Sequence, residues 1–203
     1  DISLDSGNAG VSGIDEFGGD NTTVGTSDVD GIAVDGVAYT FPIGDSTTAF
    51  VGFDSDGSSL FTTACVYGGP GDMLDDCGNV NAGITGGETA VGASYDFGNG
   101  LTAAFGAQTE AGANEGFFTE ESSDSFALNG AYTADNYGIS LTYASVENDA
   151  DDENAFTALN AYYTPEGSLP SISVGYEIGD IGGAAAASDA VSYTHLRAHE
   201  THE

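Results

Sequence analysis

The sequence predicts an all-β protein: an antiparallel up-and-down transmembrane β-barrel, present here as a partial barrel of about eight strands in four hairpins. Apolar and polar residues alternate over segments of strand length. Each segment has one apolar face and one face of Ser, Thr, Asn, Gly and Ala. Short turns alternate with long acidic or glycine-rich connections, which is typical of a barrel with tight turns at one rim and long loops at the other.

The clearest hairpin is built from residues 89–97 and 101–107, which each place apolar side chains on one face. Gly98, Asn99 and Gly100 turn the chain between them. Three further hairpins have the same size. Their turns are predicted at 42–45, 134–136 and 165–168.

Along these strands the apolar face is predicted to meet lipid and the polar face a water-filled lumen, because small polar side chains suit a lumen better than a packed core. In the strand 155–163 the facing is ambiguous. The long connections between hairpins are 55–85, 111–124, 147–154 and 180–190. The predicted lipid-facing residues are Val91, Tyr95, Phe97, Leu101, Phe105, Leu128, Tyr132, Ile139, Leu141, Tyr143, Ile172, Val174 and Tyr176.

Aromatic residues recur beside the short turns of the predicted strands. Amphipathic rings at that position are typical of the girdle at a membrane interface. Ordinary strand packing explains any single one of them equally well, and the recurrence favours the girdle. The residues concerned are Tyr95, Phe97, Tyr132, Tyr137, Tyr162 and Tyr163.

The charge of the chain is one-sided. Its formal net charge is −32, and no lysine, arginine or histidine precedes His195. Nucleic acid is not an expected partner, because binding phosphates requires basic side chains. Unopposed carboxylates favour small cations, or life in salty water where their repulsion is screened. No run of about 18 apolar residues predicts a transmembrane helix.

Several polar residues have the parity of the lumen face and are the candidate pore-lining residues. The acidic ones are predicted to favour cations, because selectivity follows the charge along the path. Each of them is also explained as a solvated charge near a strand end. The acidic candidates are Glu88, Asp96, Glu110 and Glu177, and the neutral ones are Thr102, Gln108 and Asn129.

Cys65 and Cys77 flank a loop rich in Gly, Pro and Asp, CVYGGPGDMLDDC. As a disulfide they would close a loop of roughly a dozen residues and stabilise the fold by roughly 3 kcal/mol. That pairing implies an oxidising, exported location. Two free thiols are the alternative. A metal site ranks third, because no His or third Cys accompanies the pair to complete a ligand set.

The only Arg and all three His fall in the last nine residues, HLRAHETHE. His195 and His199 have the i,i+4 spacing that holds zinc on a helix, with Glu200 and His202 following. The segment SYTHLRAHETHE also resembles a read-through string found at the ends of unrelated environmental sequences, and we favour that origin. A frayed polar terminus is the second interpretation and a metal site the third.

Four stretches carry a family resemblance: YTFPIGDSTTAFVG, CVYGG with DDC, GETAVGASYDFGNGLTAAFG and YTPEGSLPSISVGYEIGD. Together they resemble the barrel region of cyanobacterial outer-membrane porins over roughly residues 31–189. Members of that family combine an S-layer-homology domain and a coiled coil with a barrel similar to carbohydrate-selective porins, and are often labelled iron-uptake porins. The resemblance implies a fragment with about half of a barrel, since an open sheet leaves backbone groups unpaired in lipid.

The domain organisation that follows is a Gly/Asp-rich loop at 1–30, a partial porin β-barrel at 31–191 and a tail at 192–203. Residues 1–30 suit a long extracellular loop or an inward-folded constriction loop. The predicted function is passive diffusion of small hydrophilic solutes and ions through a cation-leaning channel in the outer membrane of a Gram-negative type envelope. Membrane lipid, the permeating solutes and copies of the chain in a homotrimer are the expected partners, with no cofactor and no metal.

A secreted, acidic, soluble β-sandwich that binds calcium or a surface ligand is the alternative function. Its metal loops would be 54–57 and 149–153, where oxygen ligands crowd together, although solvated loops also explain both clusters. An enzyme is not expected. The chain before the tail lacks His, Lys and Arg, and no spacing of carboxylates marks a catalytic pair.

Overall fold

The computed structural model describes residues 2–6, 32–65, 79–109, 123–147, 153–167, 169–182 and 190–197. Within them, ten strands form one antiparallel sheet in which each strand pairs only with its neighbours in sequence. The all-β, antiparallel, up-and-down class predicted from the sequence is confirmed. The strands are β1 (Ile2–Ser6), β2 (Ile32–Ile43), β3 (Thr47–Phe53), β4 (Thr89–Gly98), β5 (Leu101–Thr109), β6 (Asp124–Thr133), β7 (Tyr137–Glu147), β8 (Glu153–Tyr163), β9 (Ser171–Asp180) and β10 (Ala190–Arg197).

The predicted strands, about eight, correspond to β2 to β9, and the described residues contain two further strands, β1 and β10. β1 lies inside the predicted loop 1–30 and pairs with β2. β10 starts in the predicted barrel region, runs into the predicted tail and pairs with β9 along its whole length. Both were missed because ladder bonds come from the backbone, and short edge strands need no long alternating pattern. The origin of the tail stays a prediction.

The sheet has two unlike faces, which are here named the inner and the outer face. β9 shows the difference most clearly, because its residues alternate strictly between buried and exposed. β8, whose facing was ambiguous, follows the same rule, with Phe156 and Asn160 buried and Thr157 and Leu159 exposed. The buried set defines the inner face and the exposed set the outer face. No helix long and apolar enough to cross a membrane occurs in the described part of the chain.

The short turns follow local backbone rules. Asn99 and Gly100 both have positive φ, 56° and 82°, between paired residues Gly98 and Leu101. Two consecutive positive φ values define a type I′ turn, whose twist matches that of antiparallel strands. In the next hairpin the Ala134 N–H donates to the Tyr137 carbonyl at 2.8 Å.

The connection between β3 and β4 folds over the inner face. Its described parts, residues 54–65 and 79–88, are here named the inner segment. Asp54 N–H donates to the Glu88 carbonyl at 2.8 Å and Ser55 N–H to the Gly87 carbonyl at 2.9 Å, so its two ends run side by side. Its apolar residues pack on small residues of β6, β7 and β8. That core contains Ala82 and Ile84 with Ala127, Ala144, Phe156 and Ala158, flanked by Phe61, Val146 and Ile181.

This placement changes the interpretation of the long connections. The sequence pattern of 55–85 is that of a long rim loop, and inward folding was expected only for residues 1–30. Phe61 and Ile84 explain the difference, because apolar side chains in an otherwise polar connection gain free energy when they are covered.

Candidate functional site: the inner face and the inner segment

The inner face carries a row of buried polar side chains spread over five strands, β5 to β9. Because successive residues of a strand point to opposite faces, one polar residue at every second position is enough to build such a row. Several of these side chains bind the backbone of the inner segment. They are Gln108 on β5, Asn129 on β6, Ser140 on β7 and Glu177 on β9.

Gln108 holds both ends of the inner segment. Its Oε1 accepts the Gly57 N–H at 2.9 Å, and its Nε2 donates to the Thr85 carbonyl at 2.8 Å. The side chain is 1% exposed. A buried amide side chain is stable only when its donor and its acceptor both have hydrogen-bond partners, and here the two described parts of the inner segment provide them.

Asn129 binds the segment in the manner of a neighbouring strand. Its Oδ1 accepts the Thr62 N–H at 3.0 Å, and its Nδ2 donates to the Thr62 carbonyl at 3.2 Å. The same Nδ2 donates to the Thr142 Oγ1 at 2.9 Å. Two residues after Thr62 in the inner segment, the Ala64 N–H donates to Ser140 Oγ at 2.9 Å.

Glu177 is the charged member of the row and is 2% exposed. Its Oε1 accepts from Asn81 Nδ2 at 2.6 Å and its Oε2 from the Ala82 N–H at 3.0 Å. The Asn81 N–H lies 3.3 Å from Oε1 and 3.0 Å from Oε2. Burying a carboxylate costs free energy unless hydrogen-bond donors surround it. The sequence has no Lys, Arg or His before His195, and at Glu177 the N–H groups of the inner segment are the donors.

A close backbone contact brings the inner segment onto β5. A side chain at Gly106 would collide with the carbonyl oxygen of Gly57, and one at Gly57 with the side chain of Ile84 at 2.5 Å. Glycine at position 106 lets the Gly57 backbone touch β5, and glycine at position 57 leaves room for the Ile84 side chain.

A cavity of about 250 Å³ remains at one end of this contact, between the inner segment and the sheet, which is here named the wall. None of its lining residues is charged. Amide and hydroxyl groups alternate there with apolar side chains. The lining includes Asn81, Ile84 and Thr85 of the inner segment and Gln108, Asn154 and Phe156 of the wall.

The predicted pore-lining residues fall into three groups. Gln108, Asn129 and Glu177 lie on the inner face beneath the inner segment, where they bind backbone. Glu88 and Thr102 are half-buried, and the Thr102 Oγ1 has no hydrogen-bond partner among the described residues. Asp96 is exposed and its carboxylate accepts the Gly98 N–H at 2.8 Å. Glu110 lies outside the described residues.

The residues predicted to face lipid lie on the outer face. All are exposed except Val91 and Tyr132, which are half-buried. Lipid contact itself stays a prediction.

Rings of the predicted girdle contact one another beside the short turns. Tyr95 and Phe97 meet edge to face at 4.7 Å between ring centroids, and Tyr132 and Tyr137 lie 5.9 Å apart. Tyr162 differs, because its ring covers Gly138 on the inner face. Their position at a membrane interface stays a prediction.

The remaining candidates concern cysteines and cations. Cys65 is in a disulfide, and Cys77, the only other cysteine of the chain, lies outside the described residues. In the predicted metal loop 54–57, one oxygen of the Asp56 carboxylate accepts the Gly86 N–H at 2.8 Å. Of the second loop the structure describes only Glu153, which accepts from Ser145 Oγ at 2.6 Å. The described part of the chain contains no group of three or more His, Cys, Asp or Glu able to hold a metal ion.

Ser140 was not among the predicted site residues, and the inner segment was not predicted as the partner of any of them. The detectable signal was parity, since Ser140 has the same facing as the predicted pore-lining residues. Parity gives the face of a residue but not what covers that face.

No protein-family model matches the chain, and no curated protein matches it. Among solved structures the chain is similar to the anion-selective porin from Comamonas acidovorans, with 17% sequence identity and a TM-score of 0.42. That similarity covers 74% of this chain and 40% of the porin chain, so this chain spans about two fifths of that protein's length.

Proposed function

We propose that this chain forms part of the wall of an outer-membrane channel through which small hydrophilic solutes and ions diffuse passively. One observation carries the proposal: a single meandering sheet exposes a continuous apolar outer face, while its inner face carries a row of buried polar side chains beside a small apolar core. Large apolar side chains on every strand from β2 to β9 are exposed together, and a surface of that extent requires an apolar environment. Lipid supplies that environment on one side of a barrel wall.

The inner segment supports the same function from the other side of the wall. A channel needs a polar path with a defined width, and selectivity arises where the path is narrowest. The inner segment lies on the polar face and is held there by four side chains of the wall. We assign it the role of narrowing the path.

The proposed preference for cations depends on charge. The path belongs to a chain with a formal net charge of −32, and carboxylates raise the local concentration of cations. Glu88 and Asp96 are the described acidic candidates that keep contact with solvent. A carbohydrate as solute, membership of the cyanobacterial porin family and assembly as a homotrimer belong to the same proposal.

The secreted β-sandwich is the competing function. It requires two sheets packed face to face. The ten described strands form one sheet, so the geometry favours the channel.

The decisive experiment is single-channel recording in planar lipid bilayers. Protein refolded in detergent is expected to insert and give discrete conductance steps, with a reversal potential in a salt gradient that indicates preference for the cation. Heat-denatured protein in the same detergent is the control for leakage. Silent bilayers contradict the channel, and a reversal potential of the opposite sign contradicts the cation preference.

The competing function makes opposite predictions. A sandwich would stay monomeric without detergent and gain thermal stability from calcium. We expect instead that the protein requires detergent and that its gel mobility changes on heating, with cross-linking in detergent giving the number of subunits.

A further inference from the structure

We infer that Glu177 is a positioning residue, whose buried carboxylate fastens the inner segment to the wall at Asn81 and Ala82, and that it does not act as a selectivity charge. The anchoring is a property of the fold. Its consequence for conduction rests on the proposed function.

Hydrogen-bond donors of the inner segment surround the carboxylate of Glu177. Both oxygens accept from N–H groups of two consecutive residues of the inner segment, Asn81 and Ala82. These donors come from 95 and 96 residues away along the chain. Hydrogen bonds to a charged group are roughly twice as strong as neutral ones, so we expect this contact to be stronger than those of Gln108, Asn129 and Ser140 with the segment.

Glu177 is also too deeply buried to act as a selectivity charge. A charge selects ions when it faces the water through which they pass. Glu177 is 2% exposed, and three N–H donors of the inner segment surround its carboxylate in place of water. Gln108 holds Gly57 and Thr85, one in each described part of the segment, and Asn129 and Ser140 hold only the first part, all through neutral groups. Within residues 79–84, Glu177 holds Asn81 and Ala82 by hydrogen bonds, and Ala82 and Ile84 also pack in the core.

Glu177→Gln is the variant that tests the anchor. Glutamine keeps the size of the side chain but replaces one oxygen by an NH2 group. Because both carboxylate oxygens face N–H donors, the NH2 group meets a donor whichever way the amide turns. Asp180→Asn is the matched control, since it removes the same charge from the same strand at an exposed position.

Amide hydrogen exchange of the full chain in detergent micelles reads the anchor without any channel assay. In Glu177→Gln we expect the Asn81 and Ala82 amides to exchange about tenfold faster or more, because they lose a charge-assisted acceptor. Amides of β8 and β9 keep their protection, which shows that the sheet remains folded. Exchange of Asn81 and Ala82 at the wild-type rate overturns the inference.

Bilayer recording then separates positioning from selectivity. Glu177→Gln is expected to raise the single-channel conductance while the reversal potential stays that of the wild type, and Asp180→Asn is expected to leave the conductance unchanged. A shifted reversal potential in Glu177→Gln would show a selectivity charge and would overturn the inference. Faster exchange in a protein that leaves bilayers silent would support the anchor and refute the proposed function.

Discussion

Gly106 and Gly57 show how closely the inner segment lies against the wall. At most positions of a strand glycine weakens the structure, because it adds no packing and loses more backbone freedom on folding than other residues. At Gly106 that cost is offset, since only a missing side chain lets the Gly57 carbonyl oxygen approach β5. The same wall contains glycines with no such contact, and Gly130 on β6 has open space around it.

Substitution of Gly106 and of Gly130 by alanine should therefore have opposite effects on the free energy of unfolding. Gly106→Ala is expected to lower the free energy of unfolding by about 1 to 3 kcal/mol, because the added methyl group forces the inner segment off β5. Gly130→Ala is expected to raise it by roughly 0.5 to 1 kcal/mol, through reduced freedom of the unfolded chain. Urea unfolding in micelles measures both. Equal effects of the two substitutions would argue against the close contact.

At the scale of an element, β7 shows how one strand serves two environments. Its inner residues Ser140, Thr142 and Ala144 are buried beneath or beside the inner segment. Its outer residues Ile139 and Leu141 are exposed. The division needs nothing beyond the two-residue period of a strand, so it could be predicted from the sequence. Which loop covers the inner residues could not.

A basic residue placed along the outer face tests the lipid contact by its depth. Leu141, in the middle of β7, is 53% exposed, and Tyr163, at the short-turn end of β8, is 49% exposed. In lipid, Leu141→Arg is expected to cost about 2 to 4 kcal/mol and Tyr163→Arg about 0 to 1 kcal/mol, because the penalty falls from the bilayer midplane to the interface.

Urea unfolding in phospholipid vesicles measures this gradient. The two positions are almost equally exposed, so a water-facing outer surface predicts similar small effects at both. Equal costs would therefore contradict the membrane-facing assignment.

For the whole molecule the dominant feature is unopposed negative charge. With a formal net charge of −32 and no base before His195, attraction between side chains cannot balance the repulsion of the carboxylates over most of the chain. Individual carboxylates are stabilised locally by N–H donors, as at Glu177 and Asp56. The remaining repulsion between carboxylates acts over the screening length, which the salt concentration sets.

Salt should therefore stabilise the folded protein. Between 0.01 M and 1 M salt the screening length falls from about 30 Å to about 3 Å, so we expect the unfolding midpoint in urea to rise across that range. Choline chloride is the control for potassium chloride, because screening requires no specific cation. A midpoint that stays constant in both salts would contradict the electrostatic account, and a rise in potassium chloride alone would indicate bound potassium instead.

The sequence by itself determined the features that depend on near neighbours. A two-residue period decides that a segment is a strand and which side chains share a face, which is why β2 to β9, the I′ turn at Asn99 and Gly100 and the outer apolar face were predictable. Edge strands β1 and β10 escaped because backbone pairing needs no side-chain pattern.

Only the tertiary structure decided what covers the inner face. The contacts that hold the inner segment join residues 51, 67, 76 and 96 positions apart. Parity placed Gln108, Asn129 and Glu177 on that face, but it carries no information on partners so distant in the chain. The same carboxylate would be a selectivity charge on a bare wall and is an anchor beneath the inner segment. Which of the two it is depends on whether N–H donors or water surround it, and packing alone sets that.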